Sequence, residues 1–263
     1  MTGPASHRRP GARPSLSVAL ALSAGLLAAC GTSGDVDSAT QAAAAPTEVR
    51  RPTLVDPRPL PGAGAVAFDP VEARLAWAAG EEVRLHRLAA VPDAAAGAGD
   101  RRLPVGSRVS DLGFAPDGAL WVVAGVPQLW RGGAPVCRAT GVEADRLLAV
   151  DGEGAVVAAY RHSDGVGMLR RQVWLDARCA VAGERLDPLP PDMAGADEDP
   201  GAPLGRSSLR PPRQDAAALA RQLSRLRLPA GAGVEQAVRV SPDGGWWVLE
   251  GAQGRTLWRR AQP

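Results

Sequence analysis

Ala115-Pro116-Asp117-Gly118-Ala119-Leu120-Trp121-Val122-Val123 and Ser241-Pro242-Asp243-Gly244-Gly245-Trp246-Trp247-Val248-Leu249 set the same turn before the same kind of strand. Proline presets φ for a turn, aspartate closes it with its own side chain, and glycine accepts the positive φ of a tight reversal. The Val, Leu and Trp residues that follow fill a pleated, half-buried surface well. Each stretch therefore reads as a hairpin: a strand arrives, reverses at Pro-Asp-Gly and leaves as an apolar strand.

Two weaker copies lie alongside. Phe68-Asp69-Pro70 leads to Leu75-Ala76-Trp77 without the glycine, and Val150-Asp151-Gly152 leads to Val156-Val157-Ala158-Ala159-Tyr160 without the proline. Each unit passes through a second glycine turn, at Gly80, Gly125, Gly165 or Gly251. A third strand follows, at Val83–Arg87, Leu129–Arg131, Val173–Leu175 or Leu257–Arg259. The aspartates at 69, 117, 151 and 243 are 48, 34 and 92 residues apart. The last gap is twice a unit of roughly 40–45 residues, the period of propeller blades. Over about 64–181 and 234–263 these units resemble blades of the β-propeller superfamily, in particular the Ser/Ala-Pro-Asp-Gly repeats of bacterial TolB-like and WD40-like proteins. The resemblance implies an all-β fold: a small or incomplete β-propeller of about four to five antiparallel units, with a loop-and-helix insertion before the last.

That insertion has two parts. Residues 187–213, with Pro190-Pro191, Asp197-Glu198-Asp199 and Pro211-Pro212, read as a disordered loop. Residues 214–227 read as an amphipathic helix: Asp215 stands at the cap, and Ala216, Leu219, Ala220, Leu223 and Leu226 recur at three- and four-residue steps. So short a helix is marginal alone and needs a surface, either the body or a partner.

The N-terminus reads as a targeting segment. Residues 1–29 hold Arg8, Arg9 and Arg13, then an apolar run from Leu16 to Leu27 that is too short for a permanent span of roughly 20 residues. Leu27-Ala28-Ala29-Cys30 resembles the bacterial lipobox, which implies cleavage before Cys30 and lipid on that cysteine. Residues 30–64, rich in Ala, Ser, Thr and Pro, then form a flexible tether to a domain at 65–263; Thr53-Leu54-Val55 is the one stretch able to dock as a strand. Removing three of 30 basic residues leaves 27 against 28 acidic, a net charge of −1. The mature body is near neutral, which argues against nucleic acid.

With Cys30 lipidated, Cys137 and Cys179 remain as the pair for a disulfide across 42 residues. They fall at near-equivalent places in consecutive units, so a bond requires a shared loop. His86 stands where other units carry Trp130, Trp174 and Trp258. His162-Ser163-Asp164 are too close in sequence to converge as a triad. No catalytic residue, metal site or cofactor is expected; the acidic run at 192–199 lacks the alternation of a calcium loop. Trp246 and Trp247 point to opposite faces of one strand, and one of them is expected to be exposed. With Leu219, Leu223 and Leu226 they are the expected partner contacts. The expected function is a non-catalytic protein-binding or scaffold module, tethered in a bacterial cell envelope through Cys30 and meeting another envelope protein. That places it at the outer membrane facing the periplasm in a Gram-negative host, and otherwise at the outer face of the cytoplasmic membrane. The alternative is an enzyme or small-molecule binder using the central channel of a propeller.

Overall fold

The computed structural model describes residues 51–88, 100–163, 167–189 and 214–261. The leader 1–29, Cys30, the tether up to residue 50, Asp164, Gly165 and residues 190–213 of the expected 187–213 loop, with its acidic run, lie outside the described residues; Asp187, Pro188 and Leu189, expected in that loop, instead end a strand, with Leu189 buried.

A first strand, β1 (Leu54–Pro59), is followed by three sheets in chain order. Sheet I holds β2 (Ala63–Phe68), β3 (Arg74–Ala79), β4 (Glu82–Arg87) and β5 (Arg101–Pro104). Sheet II holds β6 (Asp111–Phe114), β7 (Leu120–Ala124), β8 (Val126–Arg131) and β9 (Ala134–Arg138). Sheet III holds β10 (Arg146–Val150), β11 (Gly154–Ser163), β12 (Gly167–Asp176) and β13 (Val181–Leu189). Helix α1 (Ala216–Leu223) precedes sheet IV, made of β14 (Val234–Val240), β15 (Trp246–Gly251) and β16 (Gly254–Arg260). Its fourth strand is β1, antiparallel to β16 with Leu54 opposite Arg260.

All four expected turn aspartates close their turns. Asp117 Oδ1 accepts from Ala119 N at 3.1 Å, Asp151 Oδ1 from Gly154 N at 2.7 Å, and Asp243 Oδ1 from Gly245 N at 3.0 Å. Asp69, with no glycine after it, accepts from Val71 N at 2.8 Å and ion-pairs with Arg74. Gly118 and Gly244 sit at φ 79° and 68°, where a side chain would be strained.

The sheets pack face to face. Sheets I and II share a core that includes Val83, Leu103, Leu112, Val122 and Trp130; sheets II and III share Trp121, Val123, Leu147, Val157 and Leu175; sheets IV and I share Trp246, Val248, Leu257, Leu75 and Trp77. The first strands stand side by side, β14 against β2, β2 against β6 and β6 against β10. Among the described residues no core cluster joins sheets III and IV. The open face of sheet IV, with Trp247, Leu249 and Trp258, is covered by Leu54 and by Leu219 of α1. Each large apolar side chain buried there is worth about 1.5–3 kcal/mol, so a bare face is not an option.

Four further expectations need correction. β1 and the start of β2 belong to the body, although the sequence places residues 30–64 in the tether and allows only Thr53-Leu54-Val55 to dock as a strand. β1 reads as tether because only Leu54 of its six residues is fully buried. Neither tryptophan of the 246–247 pair is exposed: Trp246 faces sheet I and Trp247 faces α1, since sheet IV is covered on both faces. Trp174 is not equivalent to Trp130 and Trp258. Those two and His86 lie opposite the second residue after their turns, Leu120, Trp247 and Leu75, whereas Trp174 lies opposite the third, Val156, and faces the other side of its sheet. The cysteines are not equivalent either. Cys137 is on the outer strand β9, whereas Cys179, at φ 61°, is in the β12–β13 turn; they form a disulfide with Cα atoms 5.8 Å apart that ties sheet II to sheet III.

Candidate functional site

Helix α1 owes its position to three interactions. Asp215 Oδ1 accepts from Ala217 N at 2.9 Å and caps the first turn. Leu219 is buried against sheet IV, with Leu223 and Leu226 packed partly beside it. Beyond the helix, Arg227 N donates to Pro52 O at 2.9 Å and Leu54 N to Arg227 O at 3.0 Å, so the segment after α1 runs parallel to the chain entering β1.

Where these pieces meet the β14–β15 turn, a groove of about 640 Å³ opens, lined among others by Pro52, Leu226, Trp247 and three arginines, Arg51, Arg225 and Arg260. Pro52, Leu226 and an edge of Trp247 supply its apolar wall, and Trp247 Nε1 is satisfied by Gly244 O at 3.2 Å. No carboxylate lines it. Arg51 and Arg225 are exposed and make no ion pair to a described residue. Arg260 adds its field to Asp243, whose carboxyl is held below the usual carboxylate range first by the Ser241 hydroxyl, then by the Gly245 N–H and the Arg260 charge. Of the expected partner contacts, Leu226 and Trp247 line this groove; Leu219 and Trp246 are inside the core and Leu223 is half-buried. The three arginines were not readable as a set, because they come from positions 51, 225 and 260.

A second, smaller cavity of about 360 Å³ lies among the first strands, lined by Gly64, Val66, Asp111, Gln214, Arg239 and Arg255 together with their neighbours. Most of its polar groups serve the fold. Asp111 is buried and accepts Leu147 N at 3.0 Å, bridging sheets II and III. Gln214 exchanges two hydrogen bonds with Val240, at 2.9 and 2.7 Å. Arg239 donates to Val66 O at 3.2 Å and Arg255 to Gly64 O, while Arg255 Nε is buried without a partner. His162 and Ser163 end β11 opposite Met168 and Gly167, and His86 Nδ1 lies 2.8 Å from Asp100. Among the described residues no group of three His, Cys, Asp or Glu is placed to hold a metal ion.

Four antiparallel four-stranded sheets, first strands side by side and the last sheet completed by the N-terminal strand, define a small β-propeller. No protein-family model matches the chain, and no curated protein matches it. Among solved structures it is similar to the Myceliophteria thermophila Cps50 (Swd1) beta-propeller domain, at 14% identity and a TM-score of 0.37 over 78% of this chain and 55% of that one. It is also similar to a chain of the Mitotic Checkpoint Complex, at 12% identity and a TM-score of 0.41 over 92% of this chain and 100% of that one. The chain thus spans about half the length of the first. The fold assignment rests on the sheets themselves.

Proposed function

We propose that this protein is a lipid-tethered, non-catalytic protein-binding module of a bacterial cell envelope. The observation that carries the binding half is the groove beside α1, where an apolar wall and a rim of arginines lie open on a face whose core is already covered. Arginine is among the side chains most enriched at binding hot spots, and Trp247, 3% exposed, backs the groove from the core. The tether half rests on Leu27-Ala28-Ala29-Cys30 and on the entry of the chain into the body at Arg51, 21 residues after Cys30. Linkers of that length have a typical end-to-end span of roughly 25 Å, which suits a body held beside a bilayer and within reach of a neighbour.

Two measurements test this. Cys30→Ala is expected to move the protein from the membrane fraction to the soluble fraction and to abolish a diacylated N-terminal peptide in mass spectra; unchanged fractionation rules the tether out. Affinity purification of the full-length protein in mild detergent is expected to recover a stoichiometric partner, lost in Leu226→Asp and kept in Val71→Asp, a change at an exposed site far from the groove in sequence. Equal recovery from both variants rules the groove out.

The convergence of Arg239, Arg255 and Asp111 supports a second reading, in which the central cavity takes a small anionic molecule. A crystal soaked in a mixture of small carboxylates, with no density in that cavity, would dismiss it.

A further inference from the structure

We propose that the groove beside α1 takes an acidic peptide segment of a partner protein, carrying one apolar anchor residue between or beside its carboxylates. The inference rests on the protein-binding reading and names the chemistry of what binds.

Charge decides the sign. The rim carries three guanidiniums and the lining no carboxylate. Against them stand Asp243, which faces Arg260, and the partial negative charge of about half a unit at the C-terminal end of α1. The balance is positive by more than one charge. Arg51 and Arg225 enter it unneutralised, since neither has an ion-pair partner among the described residues. By contrast, the nearby Arg259 is held by Asp56 at 2.8 Å, so its charge is already met. A planar guanidinium binds a carboxylate through two parallel N–H donors, so three of them at a groove mouth select planar anions on an extended or turned backbone.

Shape decides the class. The groove is concave, with Pro52, Leu226 and Trp247 forming its wall, and at about 640 Å³ it is large for a lone phosphate or carboxylate but fits a side-chain anchor with flanking backbone. A bilayer surface presents headgroups in a plane and fits a concave site poorly. The segments that build the groove are each fixed: Pro52 and Leu54 by Arg227, the turn by Asp243, Trp247 by Gly244. A preformed site gives up little ordering entropy on binding.

The test selects ligands from a displayed library of random dodecapeptides on the full-length protein in detergent and measures the best peptide by fluorescence anisotropy. The expected result is enrichment of peptides with several Asp or Glu around one aromatic or aliphatic residue. Their affinity is expected to fall about tenfold in each of Arg51→Glu and Arg225→Glu and to weaken with salt. Both arginines are exposed, so thermal unfolding of each variant is expected to match the parent and excludes a folding defect. Selected peptides without acidic enrichment, or affinities unchanged by both reversals, overturn the proposal. So does a protein that selects no peptide but sediments with phosphatidylglycerol vesicles through the same arginines. A partner that is captured from membranes but indifferent to Arg51→Glu and Arg225→Glu would sink this inference and leave the protein-binding reading standing.

Discussion

Sheets II and IV carry the same full turn motif, Ala115-Pro116-Asp117-Gly118 and Ser241-Pro242-Asp243-Gly244, yet they are finished differently. Sheet II has a sheet on each side: Leu120, Val122 and Trp130 face sheet I, and Trp121, Val123 and Leu129 face sheet III. Its fourth strand follows directly in sequence, and a disulfide fastens that strand to the next unit. Sheet IV has a sheet on one side only. Its other face is covered by α1, and its fourth strand comes from the start of the body. The repeat therefore supplies strands and turns, while what lies on each face is decided by what arrives there. A neighbouring sheet matches the face along its whole length. An eight-residue helix covers only part of such a face, packing chiefly on β14, and the groove opens beside it.

The comparison fixes where damage should be global and where local. Replacing Cys137 and Cys179 by Ser removes a cross-link spanning 42 residues between sheets II and III. On the chain-entropy account this lowers stability by about 4 kcal/mol. Denaturant unfolding with and without reductant should show the loss in the parent and none in the double variant; a loss well under about 2 kcal/mol would mean that packing alone holds that seam. Leu219→Ala acts on sheet IV only. Leu219 is 3% exposed, and the cost of such truncations is about 2–3 kcal/mol at a site that can partly collapse. Hydrogen exchange should show protection lost over Ala216–Leu223 and along β14, with sheet II unchanged. Equal loss in sheet II would show that the helix is part of the global core rather than a cover on one face.

The same contrast explains what could be read from the sequence. Within a unit the turns at Asp69, Asp117, Asp151 and Asp243, the strands beyond them and the Asp215 cap of α1 were readable; the fourth strands β5, β9 and β13, mostly exposed on short or polar stretches, were not, and Ala216 and Ala220 of the expected apolar helix face are exposed. What depended on distant pieces was not readable. β1 shows only at Thr53-Leu54-Val55 and is lost beyond it, because its cover is one-sided, with Leu54 buried and Asp56 at φ 54° in a bulge that points its carboxylate to Arg259. Trp246 and Trp247 were expected to differ in exposure because strand alternation gives opposite faces, but it does not say that a helix waits on the second. Cys137 and Cys179 looked equivalent by distance from Trp130 and Trp174, and the one-residue offset of Trp174 spoils that count. The groove is the extreme case, since Arg51, Arg225 and Arg260 come together only through the fold.

The smallest expected effect separates the two turns themselves. Position 115 is Ala where 241 is Ser, so Asp243 receives a hydroxyl that Asp117 does not, while Asp117 is met by the exposed Arg131 at 2.6 Å. The Ser241 hydroxyl is the largest cause of the lowered Asp243 pKa. A carboxyl whose pKa is lower folded than unfolded adds stability above its unfolded value, near pH 4, and surrenders it as the pH falls through the folded one. Asp243→Asn keeps acceptors for Gly245 N and Ser241 Oγ but cannot ionise. Its stability should fall below the parent's above about pH 4 and converge with it in stronger acid, by an amount that salt reduces because the group is largely exposed. In Ser241→Ala the same acid limb should flatten although Asp243 is intact, whereas Asp117→Asn leaves the Ser241–Asp243 contact whole. Urea midpoints from pH 2 to pH 7 measure all three. If Asp243→Asn tracks the parent across that range, the hydroxyl is shaping the turn without storing stability in its charge.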